Sequence, residues 1–401
     1  MNEAPSRVQP GPEIEADLAD ATHREALDAR LIAAVETGTR GWAELLAASQ
    51  GADPRLVAHR VQARRLPIAD FAKTDDPEPV TDWTPELHAL DFEWYFSATC
   101  AEQLAAEAAR GSRRVLCLGC PTVARALLAH PELARVTLVD RNPLVRQRLG
   151  DPEALHTIAE DLHAARLEAG RYDTVVFDAP WYPAAIEYWL AVAARAVRPG
   201  GRILFALMGA LHRPSAADDR AAILRTAERW GPVTIDEGRL RYDSPRFERE
   251  ALATAGVATP AKWRRADLVQ VGVMHDTGAL PLAPAPASPS WARFVIGPQV
   301  IHLAPDATNE VGDPLAPVAP RNDFRYASIS TRDPRRARIG LWTSRSRVAR
   351  VRRPELVSAL LQRLADTGEL RSLHGHPALA TLDDTVQARL LTAFRQLLAW
   401  P

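Results

Sequence analysis

The nine residues VVFDAPWYP, 175–183, decide how the rest of the chain is read. Val175, Val176 and Phe177 form an apolar run that stops at Asp178, and two prolines then bracket Trp181 and Tyr182. A strand can end on Asp and Pro simply to turn. In a parallel sheet, however, ligands sit beyond the carboxyl ends of the strands. There, a carboxylate followed by two aromatics offers an acceptor and a stacking face to a substrate.

The flanking sequence supports the sheet. RRVLCLGC (113–120) reads as a strand and TVARALLAH after it as a helix, ARVTLVDRNP (134–143) as a second strand, and AAIEYWLAVAARAV as a helix. GGRILFALMG (200–209) and ADLVQVGVM (266–274) are further strands. Alternating helix and strand patterns of this kind predict an α/β fold with a Rossmann-like sheet covered by helices. The strand ends then carry a consistent set of groups. The first ends at Gly119, Cys120 and Pro121, and the second at Asp140. Asp140 follows the glycine by about twenty residues, the spacing at which an acid can reach the ribose hydroxyls of a nucleotide-like cofactor. Asp161 falls where a third strand would end, in reach of an adenine amino group.

Composition bounds the alternatives. A chain of 401 residues calls for two or three domains, and a net charge of −1 gives no global field toward polyanions. Lysine occurs only at Lys73 and Lys262, so arginine is the default cation and its clusters weigh less than usual. Cys100, Cys117 and Cys120 do not make a disulfide framework; Cys117 and Cys120 lack the second ligand pair a zinc site needs. The HGH of His374 and His376 reads as a surface turn, and no metal is expected. With no signal peptide and no run of membrane-spanning length, the expectation is a cytoplasmic protein without membrane contact.

The expected organisation is a disordered tail over 1–20, a helical module over 21–85, the sheet domain over 86–274, a Pro/Ala-rich linker over 275–290, and a small α+β domain over 291–401. The second piece shows three short helices with tight turns, a helix-turn-helix or winged-helix pattern with 54–65 as the recognition helix. Arg55, Arg60, Arg64 and Arg65 would lie along it. The last piece has an arginine-dense stretch, Arg332 to Arg353, whose only acid is Asp333. Both features predict contact with DNA or RNA, or docking of a protein substrate.

The order of glycine turn, ribose acid, adenine acid and Asp-x-Pro-aromatic is similar to that of class I S-adenosylmethionine-dependent methyltransferases. DAPW (178–181) resembles the Asp-Pro-Pro-aromatic signature of their amino-group N-methyltransferases. By that resemblance the Asp178 carboxylate and the Ala179 carbonyl accept hydrogen bonds from the target amine, Pro180 holds the turn, and Trp181 or Tyr182 forms the platform. DFEWYFSATCAEQLA (91–105) followed by CPT resembles the probable N6-adenine methyltransferases, a family that includes lysine methyltransferases of elongation factors. It implies that Trp94, Tyr95, Ser97 and Thr99 border S-adenosyl-L-methionine, with Gly119, Cys120 and Pro121 as its turn. This chain departs from the pattern in lacking G-x-G and in having Ala179 for the first proline.

The leading expectation is therefore an S-adenosylmethionine-dependent N-methyltransferase, acting on a nucleic-acid adenine in preference to a protein lysine. Branched-polyamine synthases also resemble this layout, but acids crowd their strand-one turn where this chain has GCPTVAR. A methyltransferase fold that binds without catalysing is the third alternative.

Overall fold

The computed structural model describes residues 11–68, 85–91, 93–274, 291–305, 312–318 and 323–398. The described residues open with four helices, α1 (Pro12–Ala19), α2 (Ala21–Glu36), α3 (Trp42–Ala48) and α4 (Pro54–Arg64). Residues 11–20, expected as tail, are thus largely helical. Ile14 is fully buried, and Glu13 and Asp17 are buried against arginines far away in the sequence, which is what overrides their polarity. No wing strand occurs among the described residues of the helical region, and the linker expected over 275–290 lies outside the described residues.

The middle of the chain builds α5 (Ala98–Ala109), β1 (Arg114–Leu118), α6 (Pro121–Leu127), β2 (Arg135–Val139), α7 (Pro143–Leu149), β3 (Leu155–Ile158) and β4 (Tyr172–Phe177). It continues through α8 (Pro183–Ala196), β5 (Val197–Met208), α9 (Ala216–Glu228), β6 (Val233–Arg241), α10 (Arg246–Thr254) and β7 (Arg265–Gly272). The strands form a seven-stranded sheet in the order β3-β2-β1-β4-β5-β7-β6, parallel except that β7 runs against both neighbours. The expected α/β, Rossmann-like architecture is what the chain adopts. Central strands such as β1 and β4 carry continuous apolar runs because helices cover both faces, and Val115 to Leu118 and Val175 to Phe177 are all fully buried. Phe177 stacks on Phe205 of β5 at 4.9 Å, nearly parallel.

The C-terminal part forms β8 (Ala292–Ile296), β9 (Gln299–Leu303), β10 (Leu315–Ala316), β11 (Leu341–Thr343) and β12 (Arg347–Val351), then α11 (Pro354–Thr367) and α12 (Asp384–Leu397). Its five strands pair antiparallel in the order β10-β12-β11-β9-β8, with α11 and α12 packed on one face. This is the α+β arrangement read from the sequence. No helix among the described residues is long and apolar enough to cross a membrane.

Candidate active site

Strand register aligns the candidate groups. Leu118 of β1 pairs with Val139 of β2 and with Phe177 of β4, so the next residue of each strand, Gly119, Asp140 and Asp178, leaves the sheet in one row. Two backbone bonds hold that row: Gly119 N–H donates to Val139 O at 2.9 Å, and Asp178 N–H to Leu118 O at 3.3 Å.

Residues 178–182 line a cavity of about 170 Å³, together with parts of the chain remote in sequence. Trp94, Tyr242 and Arg264 supply the sheet-domain wall, residues 51 and 53–55 a second wall, and 327 with 329–332 a third. Trp181 meets His212 and Tyr242 edge-on, with ring centroids 5.1 and 5.8 Å apart. The Arg213 guanidinium clamps the turn, donating to Trp181 O at 2.8 Å while it pairs with Asp219 at 2.8 Å.

Arg264 stands among three indoles, its guanidinium carbon 5.2 Å from the Trp94 ring centroid, 5.5 Å from Trp181 and 5.0 Å from Trp263. Its Nε–H donates to Glu248 Oε1 at 3.2 Å. The electrostatics of the cavity follow from this packing. Burial pushes the Asp178 carboxyl up to about 7, while hydrogen bonds from the Tyr242 and Trp181 side chains and the charge of Arg264 pull the other way. His212 is pushed down to about 3 by burial and by Arg264 and Arg213, so its ring is neutral at physiological pH. A carboxyl that titrates near neutrality at a strand end can accept a proton from an amine.

The neighbouring strand ends carry a second group of polar side chains. Burial pushes Asp140 up to about 6, against the backbone bond that Asn142 N–H donates to its Oδ1 at 2.9 Å. Glu93 rises to about 8 through burial and the nearby charge of Asp91, and it bonds the Asn142 side chain. Tyr95 is buried beside Glu93 and Asp140, with Asn142 as hydrogen-bond partner. Gly119 has φ +62°, and a Cβ there would stand 2.8 Å from the Trp189 ring of α8.

The residues singled out from the sequence thus divide. Asp178, Ala179, Pro180, Trp181 and Tyr182 share the cavity, and Trp94 joins them instead of lying with Tyr95 near Asp140. Ser97 is buried ahead of α5, its N–H donating to Arg241 O at 2.9 Å, whereas Thr99 is exposed on the first turn of that helix. Cys120 is buried, its thiol donating to Leu118 O at 3.3 Å, and Pro121 opens α6. Asp161 is half-exposed and pairs with Arg141 at 3.6 Å and His163 at 3.7 Å.

Arginines read as a polyanion surface are in large part committed internally. Arg55 pairs with Glu13 at 2.7 Å, and Arg60 and Arg64 with Asp28 at 2.8 and 2.7 Å. Arg332 pairs with Asp17, Arg335 with Asp333 and Arg345 with Glu86. Sequence reasoning missed Arg264, Glu248, Trp263 and His212 as cavity residues; no local motif marks them, since only tertiary folding brings them to Asp178. Elsewhere, His88, Asp91 and His302 cluster within 4.8 Å. Both ring nitrogens of His88 already bond backbone, to Trp342 O at 3.1 Å and Leu90 N–H at 3.0 Å, and Arg293 lies 3.5 Å from Asp91. This cluster serves as a hydrogen-bonded joint to β9.

No family model matches this sequence, and no curated protein does. Among solved structures, the chain is similar to the branched-chain polyamine synthase C9 mutein from Thermus thermophilus in complex with N4-aminopropylspermidine and 5'-methylthioadenosine. Identity there is 16%, TM-score 0.50, with 69% of this chain and 96% of that one covered. The N-methyltransferase NodS from Bradyrhizobium japonicum is similar at 13% identity and TM-score 0.30, over 43% of this chain and 94% of that one. A 16S rRNA methyltransferase from Thermus thermophilus, in complex with AdoMet and guanosine, gives 19% and 0.28 over 50% and 46%. At such identities what is shown is the fold, a Rossmann-like α/β sheet.

Proposed function

We propose that this protein is an S-adenosylmethionine-dependent N-methyltransferase whose acceptor amine is held at Asp178. The observation that carries the reading is the position of that carboxylate: at the end of β4, in line with Gly119 and Asp140, on the wall of the tryptophan-lined cavity, and titrating near 7. The strand-end groups fit the donor. Asp140 offers an acceptor to ribose hydroxyls, Tyr95 lies beside it, and the left-handed Gly119 lets the chain turn without a side chain. Bound there, S-adenosylmethionine supplies an electrophilic methyl on a cationic sulfur.

The chain's own residues do the rest. Asp178 and the Ala179 carbonyl accept N–H bonds and so aim the amine lone pair along the line of displacement. Trp181 walls the acceptor. As the N–C bond forms and the S–C bond breaks, the amine becomes cationic and its proton passes to the Asp178 carboxylate, which is matched to that role near neutral pH. The donor would give up its methyl and depart as a neutral thioether, keeping the S–C bonding pair.

Aminopropyl transfer to a polyamine is a second reading, favoured by the breadth of the likeness to the Thermus polyamine synthase, which spans 96% of that chain. Against it, two of the three carboxylates on the cavity lining are already paired, Asp53 with Arg55 and Glu248 with Arg264, which leaves a polycation Asp178 alone. Transfer of labelled methyl from S-adenosylmethionine, lost in Asp178→Asn, supports methylation. Turnover with the decarboxylated donor and a polyamine, and none with S-adenosylmethionine, contradicts it.

A further inference from the structure

We infer that the acceptor is a low-molecular-mass amine with a planar apolar body, held between the sheet domain, the N-terminal helices and residues 327–332, and not a base or lysine within a polymer. This rests on the methyltransferase reading above and supplies its substrate class. Residues 327–332 cross the cavity and are pinned at three points. Arg55 Nη1 donates to Ala327 O at 2.6 Å, the Tyr182 hydroxyl bonds Thr331 Oγ1 at 2.7 Å, and Arg332 Nη2 donates to Asp17 Oδ2 at 3.0 Å. One anchor comes from α4, one from the turn that carries the catalytic carboxylate, and one from α1.

A flipped base reaches its pocket with the sugar-phosphate strand still attached, so the mouth must pass that strand and offer it cations. Here the segment 327–332 forms one side of the cavity and is tied to the other two walls. The four arginines on the cavity wall are each held by a carboxylate: Arg55 by Glu13, Arg213 by Asp219, Arg264 by Glu248 and Arg332 by Asp17. Cations so paired give up little binding energy to phosphates. Trp94, Trp181 and Trp263 instead suit a flat apolar body whose amine points to Asp178. The paired arginines weigh against a nucleic acid, and the anchored 327–332 segment weighs against any bulky polymer.

The test incubates the full-length protein with methyl-labelled S-adenosylmethionine and a whole-cell extract, then separates filtrate from retentate by ultrafiltration. Calorimetry on the same preparation records binding of S-adenosylmethionine. The expected result is label in the filtrate, about a hundredfold above an Asp178→Asn control. Label in the retentate that is released by nuclease or protease overturns the inference, as does an unlabelled filtrate from protein that binds the donor. Protein that does not bind the donor at all takes down the parent reading, and this inference with it.

Discussion

Arg55 Nη1 donates to the carbonyl of Ala327 across 272 residues of sequence, at 2.6 Å, and so closes one side of the cavity around Asp178. The same guanidinium pairs with Glu13 at 2.7 Å and with Asp53 at 2.8 Å, with the Arg55 and Glu13 side chains almost wholly buried. Removing the cation leaves the Glu13 carboxylate buried without compensation. Arg55→Ala is therefore expected to cost about 3 kcal/mol or more in chemical denaturation. Arg55→Lys should recover only part of that, because an ammonium cannot span three acceptors in one plane. An alanine variant as stable as the parent contradicts the closure.

The titration of Asp178 has two consequences of opposite sign. Activity needs the carboxylate, so kcat/KM should rise with pH through about 7 in the free enzyme. Stability runs the other way. The unfolded chain ionises near the ordinary value of 3.8 and the folded protein near 7, so between those values the folded state holds a proton that the unfolded state has released. Folding therefore weakens as pH rises across that window. Asp178→Asn should abolish transfer while stabilising the fold above pH 7 by roughly 1–3 kcal/mol, an advantage that fades below about pH 4. Thermal melts at both ends of the window check it, and a loss of stability in the variant at high pH argues against a desolvated carboxylate.

Asp140 makes a similar but gentler case on the donor side. Its carboxyl, pushed up to about 6 by burial, accepts best when ionised. Donor affinity should fall as pH drops through about 6, and Asp140→Asn should weaken it roughly tenfold or more at neutral pH. An unchanged dissociation constant in the variant removes Asp140 from the donor site.

Gly119 is fixed by sterics. Its φ of +62° and the 2.8 Å approach of the Trp189 ring to the place of a Cβ make Gly119→Ala costly, by about 2 kcal/mol. Trp189→Leu in the alanine background should recover part of that loss, because the two positions share one contact. Purely additive variants contradict the packing.

The sequence made the sheet and its row of strand-end groups legible for a local reason. β1, β2 and β4 are short apolar runs ending on Gly119, Asp140 and Asp178, and parallel pairing lines such ends up. β3, only four residues long, was placed only through Asp161 at its end, and β6 (VTIDEGRLR) escaped notice as an edge strand whose largely exposed residues give little apolar alternation. α1 looked like tail because Glu13 and Asp17 read as solvated, whereas each meets an arginine dozens to hundreds of residues away. The same blindness applied to the cavity. DAPW announced one wall, but Gly51, Arg264 and Ala327 reach it through long-range folding alone. Paired arginines such as Arg60 and Arg332 could not be told from free ones until their acids were in place.

The most direct test of the central claim is calorimetric titration with S-adenosylmethionine and, separately, with its decarboxylated form, on the parent protein and on Asp140→Asn and Asp178→Asn. The account expects preferential binding of S-adenosylmethionine, weakened in the Asp140 variant and retained in the Asp178 variant, whose transfer activity is lost. Preference for the decarboxylated form, or binding of neither, contradicts it.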